Sequence, residues 1–140
     1  VSDSDPNGGN RQVITEFRAH GGTVSGYFAN MPLLLLTTTG AKSGQPRTSP
    51  LTYMLDGDRY VVFAGNAGAA RHPDWYHNLL ADPRVVVEVG ANRLQAIALV
   101  ITGAERAALF ERYTADQPQL AFYQAQTTRQ VPAIVLQVVP

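Results

Sequence analysis

Lys42 and Arg47 stand five residues apart in the run Thr37-Thr38-Thr39-Gly40-Ala41-Lys42-Ser43-Gly44-Gln45-Pro46-Arg47, on either side of Ser43-Gly44. Cations beside hydroxyls and glycine backbone make the mixture that an anion such as a phosphate takes up: fixed N–H dipoles plus donors carrying full charge. The run is not a P-loop. That motif carries Gly-Lys-Ser/Thr into a helix, whereas Lys42 precedes Ser43-Gly44 and strand-like sequence flanks it. The same residues also suit an ordinary hairpin loop with solvated basic side chains.

A second run, Ala64-Gly65-Asn66-Ala67-Gly68-Ala69-Ala70-Arg71-His72-Pro73-Asp74-Trp75, joins a strand-like stretch to a helix-like one. Small residues let backbone approach a flat ligand closely, and the helix start offers unpaired N–H donors. Trp75 and Asn78 are three apart and share a helix face. The alternative is a flexible surface loop with Trp75 as a core anchor. Two such loops at the same end of adjacent strands favour a pocket.

The histidines point to no metal. His72 and His77 are five apart, about 140° around a helix, where a ligand pair wants one face. His20, before Gly21-Gly22, reads as a cation at a helix C-terminus. No Ser-His-Asp order stands out. Tyr113, Phe122 and Tyr123 read first as core residues, with the roof of a pocket as the alternative.

The elements that position these loops follow from pattern. The chain has 140 residues, 45% hydrophobic and 16% charged, enough for one domain with a real core. Eleven basic residues balance eleven acidic ones, so the basic face of a nucleic-acid binder is not expected. With no Cys, thiol nucleophiles, disulfides and iron–sulfur ligation drop out. Leu33–Leu36 is far too short to span a membrane. Residues 1–10 are polar and lack the apolar core of a signal peptide. Val1 is not an initiator methionine, which leaves a longer N-terminus open. Residues 1–9 are expected to be a disordered tail and residues 10–140 a single domain. Asn10 caps a short helix carrying Val13, Ile14 and Phe17, stopped by Gly21-Gly22. Strands are predicted over 33–39, 47–55, 59–63, 85–89, 94–101 and 131–139, with Asp56-Gly57-Asp58 as a hairpin turn. Helices are predicted from Pro73, as first helical residue, to Leu80, over 105–113 and over 119–127. No βαβ series repeats, so the strands form a mainly antiparallel sheet curled into a barrel with helices outside.

Taken together, these stretches resemble the deazaflavin (coenzyme F420)-dependent nitroreductase family of split β-barrel oxidoreductases. The resemblance runs through Val13-Ile14-Thr15-Glu16-Phe17-Arg18 and the loop from Pro32 to Arg47. It continues through Pro50-Leu51, Asp56-Gly57-Asp58-Arg59, Arg71-His72-Pro73-Asp74-Trp75-Tyr76-His77-Asn78-Leu79 and Thr127-Thr128-Arg129-Gln130-Val131-Pro132. The implied fold is an α+β, mainly β, FMN-binding split-barrel-like domain of about six antiparallel strands with peripheral helices. The implied activity is hydride transfer from reduced F420 to an organic acceptor such as a quinone or nitroaromatic.

The resemblance also implies a site. Ala41, Lys42, Ser43 and Arg47 would hold the phosphate and acidic tail of F420. Thr48, Pro50, Leu51 and Thr52 would line its side chain and ring. Ala64, Gly65 and Asn66 would meet the ring with backbone, and Trp75, Tyr76 and Asn78 would close that end. Phe17, Leu120, Phe122 and Tyr123 are the expected acceptor-binding residues, with Phe17 as a lid. Some relatives carry a hydroxyl where this chain has Gly65, so Thr52, Tyr53 or solvent would deliver any proton. The chemistry is borne by the cofactor, and no catalytic residue is assigned beyond these two. Rival readings are an FMN-binding split-barrel reductase and a non-catalytic F420 carrier. The expected partner is a small-molecule hydride acceptor, without nucleic acid or metal. A cytoplasmic location is expected; the oligomeric state stays open, with a monomer favoured, as does peripheral membrane contact through the N-terminal helix.

Overall fold

The computed structural model describes residues 9–140. The expected tail therefore lies outside the described residues, except Gly9, which opens the first helix. Elements run α1 (Gly9–Ala19), β1 (Leu33–Thr39), β2 (Pro46–Thr52), β3 (Met54–Asp56), β4 (Arg59–Phe63), α2 (Asp74–Ala81), β5 (Arg84–Val89), β6 (Asn92–Ile101), α3 (Gly103–Asp116), α4 (Pro118–Ala125) and β7 (Ala133–Val138).

The strands make one seven-stranded sheet in the order β2-β1-β5-β6-β7-β4-β3, and the pairs are antiparallel. Its edges, β2 and β3, are separated in the chain by Tyr53 alone. In a flat sheet, strands about 4.8 Å apart would put those edges roughly 29 Å from one another, far beyond the reach of one residue. The sheet must curl until its edges meet, and the result is a barrel. This corner also explains the strand count. The predicted strand 47–55 is continuous in sequence, but Tyr53 splits it into β2 and β3, giving seven strands in place of about six.

Both faces of β1 are covered, so its leucines form a continuous apolar run and do not alternate with polar residues. Leu34 and Leu36 face the barrel interior with Val62, Val87, Ile134 and Leu136. Leu33 and Leu35 face outward onto Ile14 and Phe17 of α1. Opposite, α3 and α4 cover β4 and β7 through Leu109, Tyr113 and Leu120. After α1 the chain turns at Gly22 (φ +100), where an added Cβ would come within 2.8 Å of Gly90 Cα. The helix from Pro73 starts one residue later than predicted. Pro73 has an extended ψ of 155 and caps α2, whose first turn carries Asp74.

Candidate active site

Two loops and a helix converge beside the barrel. The loop 40–45 between β1 and β2 faces the start of α2, and Gly40, Lys42, Ser43, Arg47, Arg71, Asp74, His77 and Asn78 line a depression there. A neighbouring hollow is lined by Asn66, Ala69, Ala70, Arg71, His72, Pro73 and Asp74. Beyond it, between the two helical coverings, lies a cavity of about 280 Å³. Pro50, Leu51 and Thr52 of β2, Phe63, Gly65–Ala67, and Tyr113, Leu120 and Tyr123 of α3 and α4 line it, with Tyr27, Phe28 and Met31 on the remaining side and Gln117 and Gln119 adding polar groups. Arg71 and Asp74 belong to both of the first two hollows, and Asn66 to both of the last two. The three hollows adjoin one another, with the cations at one end and most of the apolar lining at the other.

At the cationic end the loop spends backbone donors on itself. Gly44 N–H donates to Gly40 O at 2.9 Å, Gly40 N–H to Gln45 O at 2.8 Å, and Gln45 N–H to Ser43 Oγ at 3.1 Å. Ala41 N–H, expected to be open to an anion, donates to Asn78 Oδ1 at 2.9 Å. Asn78 Nδ2 in turn donates to Thr38 Oγ1 at 3.1 Å. Asn78, only 4% exposed, is thus a strut between α2 and the loop. Arg71 adds a cation there that sequence reading passed over. It is largely exposed and lies 3.8 Å from Asp74.

The small-residue loop is held from outside. Arg129 Nε donates to Ala69 O at 2.9 Å, Nη1 to Ala64 O at 3.0 Å, and Nη2 to Gly65 O at 2.8 Å. Nη1 also donates to His72 Nδ1 at 3.0 Å, which sets His72 as the tautomer with its proton on Nε2. The segment carrying Arg129 is itself fastened. Gln124 Nε2 donates to Arg129 O at 2.8 Å, and the buried Arg106 donates to Val131 O. The loop needs this grip, because Asn66 (φ 48), Ala67 (φ 53) and Gly68 (φ 81) are consecutive left-handed residues. Arg129 lies in the quoted Thr127–Pro132 stretch, but nothing in its local sequence says which carbonyls it reaches.

The remaining expected positions lie in several surroundings. Phe17 is 1% exposed beneath α1 and cannot serve as a lid, because β1 presents leucines outward there. Phe122 is 61% exposed, on the side of α4 away from the cavity that Leu120 and Tyr123 line. Trp75 sits in the barrel core, as the anchor reading has it, and Tyr76 stacks on His72 with ring centroids 4.6 Å apart. Thr48 pairs its hydroxyl with Thr37 at 2.8 Å. Ala64 is fully buried. Tyr53 forms the barrel corner, edge-on to Tyr60, and is not among the cavity residues. Among the described residues no His, Asp and Glu cluster is placed to hold a metal ion.

Burial, then Arg129 and His77, hold the His72 imidazole below its usual range. A base with a depressed folded pKa stabilises the fold above its unfolded value of about 6.5, and that stability is lost as pH falls through the folded value. Wild-type Tm is therefore expected to fall as pH drops below about 6.5, ahead of the carboxylates. Asp56 and Asp82 are held low by arginines and fail only at more acidic pH. Melting curves of His72→Gln should lack the first drop. Parallel pH profiles for variant and wild type would refute this role.

A curled antiparallel barrel with helices outside it is a split-barrel fold. The chain belongs to the F420H(2)-dependent quinone reductase family, whose family model matches residues 9–138. It is 42% identical over 108 residues to an F420H(2)-dependent quinone reductase of Mycobacterium tuberculosis, spanning 75% of this chain and 72% of that protein. The solved structure of an F420-H2 dependent reductase (FDR-A) superposes with a TM-score of 0.69 at 36% identity, covering 76% of this chain and 94% of the other. Another solved structure, described as a domain-swapped dimer, gives a TM-score of 0.72 at 32% identity over 91% and 95% of the two chains. The protein is thus an oxidoreductase of the F420-dependent, quinone-reductase type. No helix among the described residues is long and apolar enough to cross a membrane.

Proposed function

We propose that this row of hollows holds F420 with its phosphate and acidic tail at the cationic end and that a flat quinone enters the apolar cavity. The adjacency of the three hollows, which share Arg71, Asp74 and Asn66 in their walls, carries this reading. The residues suit the group: Lys42 and Arg47, with Arg71 beside them, match its negative charge, and Ser43 adds a hydroxyl. Pro50, Leu51 and Thr52 of β2 and the Gly65-Asn66 backbone line the route towards the ring, with Leu120 and Tyr123 across the cavity for the acceptor. When bound, the reduced deazaflavin supplies the hydride. The chain's own residues position both partners. Residues 10–140 act as one domain, in the cytoplasm.

Fluorescence titration with F420 and FMN side by side, followed by turnover of F420H2 with menadione, tests it. Arg47→Ala removes a charge-assisted contact of roughly 1.5–3 kcal/mol, about ten-fold or more in F420 affinity. The loss should shrink at high salt, where attraction between charges is screened. Equal F420 affinity in Arg47→Ala and wild type would sink the anion site. Tighter binding of FMN than F420, or no turnover of menadione, would sink the function.

A further inference from the structure

Two hydroxyls meet in the wall of the apolar cavity. Thr52 Oγ1, at the end of β2, and Tyr113 Oη, on α3, lie 2.8 Å apart, and both residues line the cavity. The Tyr113 ring is fixed by packing against Phe63, with centroids 5.0 Å apart, and against Leu120 and Val131. Packing alone would be served by phenylalanine and valine at these two positions, without the cost of removing hydroxyls from water. Tyr53, the other proton donor considered from sequence, lies at the barrel corner, away from this wall.

We propose that the Thr52–Tyr113 hydroxyl pair binds the quinone oxygen and donates the proton that completes its reduction, a role that rests on the quinone reading above. Reduction of a para-quinone to its hydroquinone takes one hydride and one proton. The hydride pair enters the quinone and leaves a hydroquinone monoanion. The Tyr113 O–H bond breaks, its proton forms the second hydroquinone O–H, and the Tyr113 oxygen keeps the bonding electrons. Thr52 hydrogen-bonds that phenolate until a proton from water restores the phenol. Donor and acceptor are both phenolic oxygens, so the proton moves between groups of the same chemical kind. Burial raises the Tyr113 phenol above its ordinary range, against the opposing Thr52 hydrogen bond, which keeps the donor protonated at neutral pH.

Tyr113→Phe and Thr52→Val keep the cavity shape and remove one hydroxyl each. Calorimetric titration of menadione into protein saturated with oxidised F420 should show binding weakened about five-fold in Tyr113→Phe, the scale of one neutral hydrogen bond. F420 affinity should stay within about two-fold, while kcat for menadione falls on the order of 100-fold, as expected for loss of a general acid. The alkaline limb of the wild-type kcat profile should disappear in Tyr113→Phe. Thr52→Val should show the same menadione defect, and it carries the test should the phenylalanine variant misfold. Wild-type menadione affinity together with wild-type kcat in these variants overturns the proposal. If wild-type protein with F420H2 leaves menadione unreduced, the quinone reading falls, and the binding titration still decides whether the hydroxyl pair contacts a quinone.

Discussion

Arg129→Ala should weaken F420 binding about 100-fold, equivalent to roughly 2.8 kcal/mol, without altering any side chain that lines the three hollows. The guanidinium donates to the carbonyls of Ala64, Gly65 and Ala69 and reaches His72. Hydrogen bonds from a charged donor contribute about 1.5–3 kcal/mol each, but four on one group share their effect and do not add. Removing them strands the Ala64 carbonyl inside the barrel wall and frees a loop with three successive left-handed residues. That loop then samples extended backbone, and binding must restore the lost order. Arg129→Lys keeps the charge but has no planar fork to span separate carbonyls, so its affinity should lie nearer the alanine variant than wild type. Hydrogen exchange at residues 65–70 should speed up in both variants, with the sheet amides unchanged. F420 affinity within three-fold of wild type in Arg129→Ala would show that the loop keeps its shape unaided.

Much of the fold can be read along the chain because each element has a local cause. The leucine run, the Asp56-Gly57-Asp58 turn and the glycines after α1 bring β1, the β3–β4 hairpin and α1 within a residue or two of where pattern puts them. Tyr53 could not be read as a corner. Its role depends on β2 and β3 pairing with opposite edges of one sheet, which is a property of closure and has no local signature. The cationic end was legible for a similar reason: Lys42, Ser43 and Arg47 sit close together in sequence. The apolar end is assembled from β2, the loop after β4, α3 and α4, so Tyr113 reads as core and Phe122 as pocket wall until helix phase is fixed by packing. Phe17 was misplaced because an aromatic on an amphipathic helix says that it is buried, but not against which layer. Asn78 and Arg129 show the same limit for polar groups. Each is positioned by partners far away in sequence, 37 to 40 residues for Asn78 and 57 to 65 for Arg129.

Gly65→Val should abolish F420 binding while leaving the barrel folded. Backbone strain is not the reason. Gly65 has φ −72 and ψ −34, a conformation open to residues with side chains. Space is the reason. A Cβ at this position would stand 3.1 Å from Leu120 Cδ1 and 3.5 Å from Tyr123 Cδ2, so it fills the gap between the small-residue loop and α4. For Gly65→Ala the tip of Leu120 shifts by a few tenths of an ångström, and a loss of only a few-fold is expected. Valine adds two methyl groups that must either push α4 outward or occupy the place meant for the ring. Overpacking of this kind costs about 1–3 kcal/mol, which a barrel core closed by Leu34, Leu36, Ile134 and Leu136 should absorb with a lower Tm and unchanged circular dichroism. Combining Gly65→Val with Leu120→Ala separates the two effects. The second change relieves the crowding against α4, so the Tm cost of Gly65→Val should be smaller on the Leu120→Ala background than on wild type. It leaves the valine methyls beside the backbone that F420 must approach, so binding should stay lost. Normal F420 titration by Gly65→Val would place the ring away from this loop, and recovery of binding in the double variant would make the defect one of α4 packing alone.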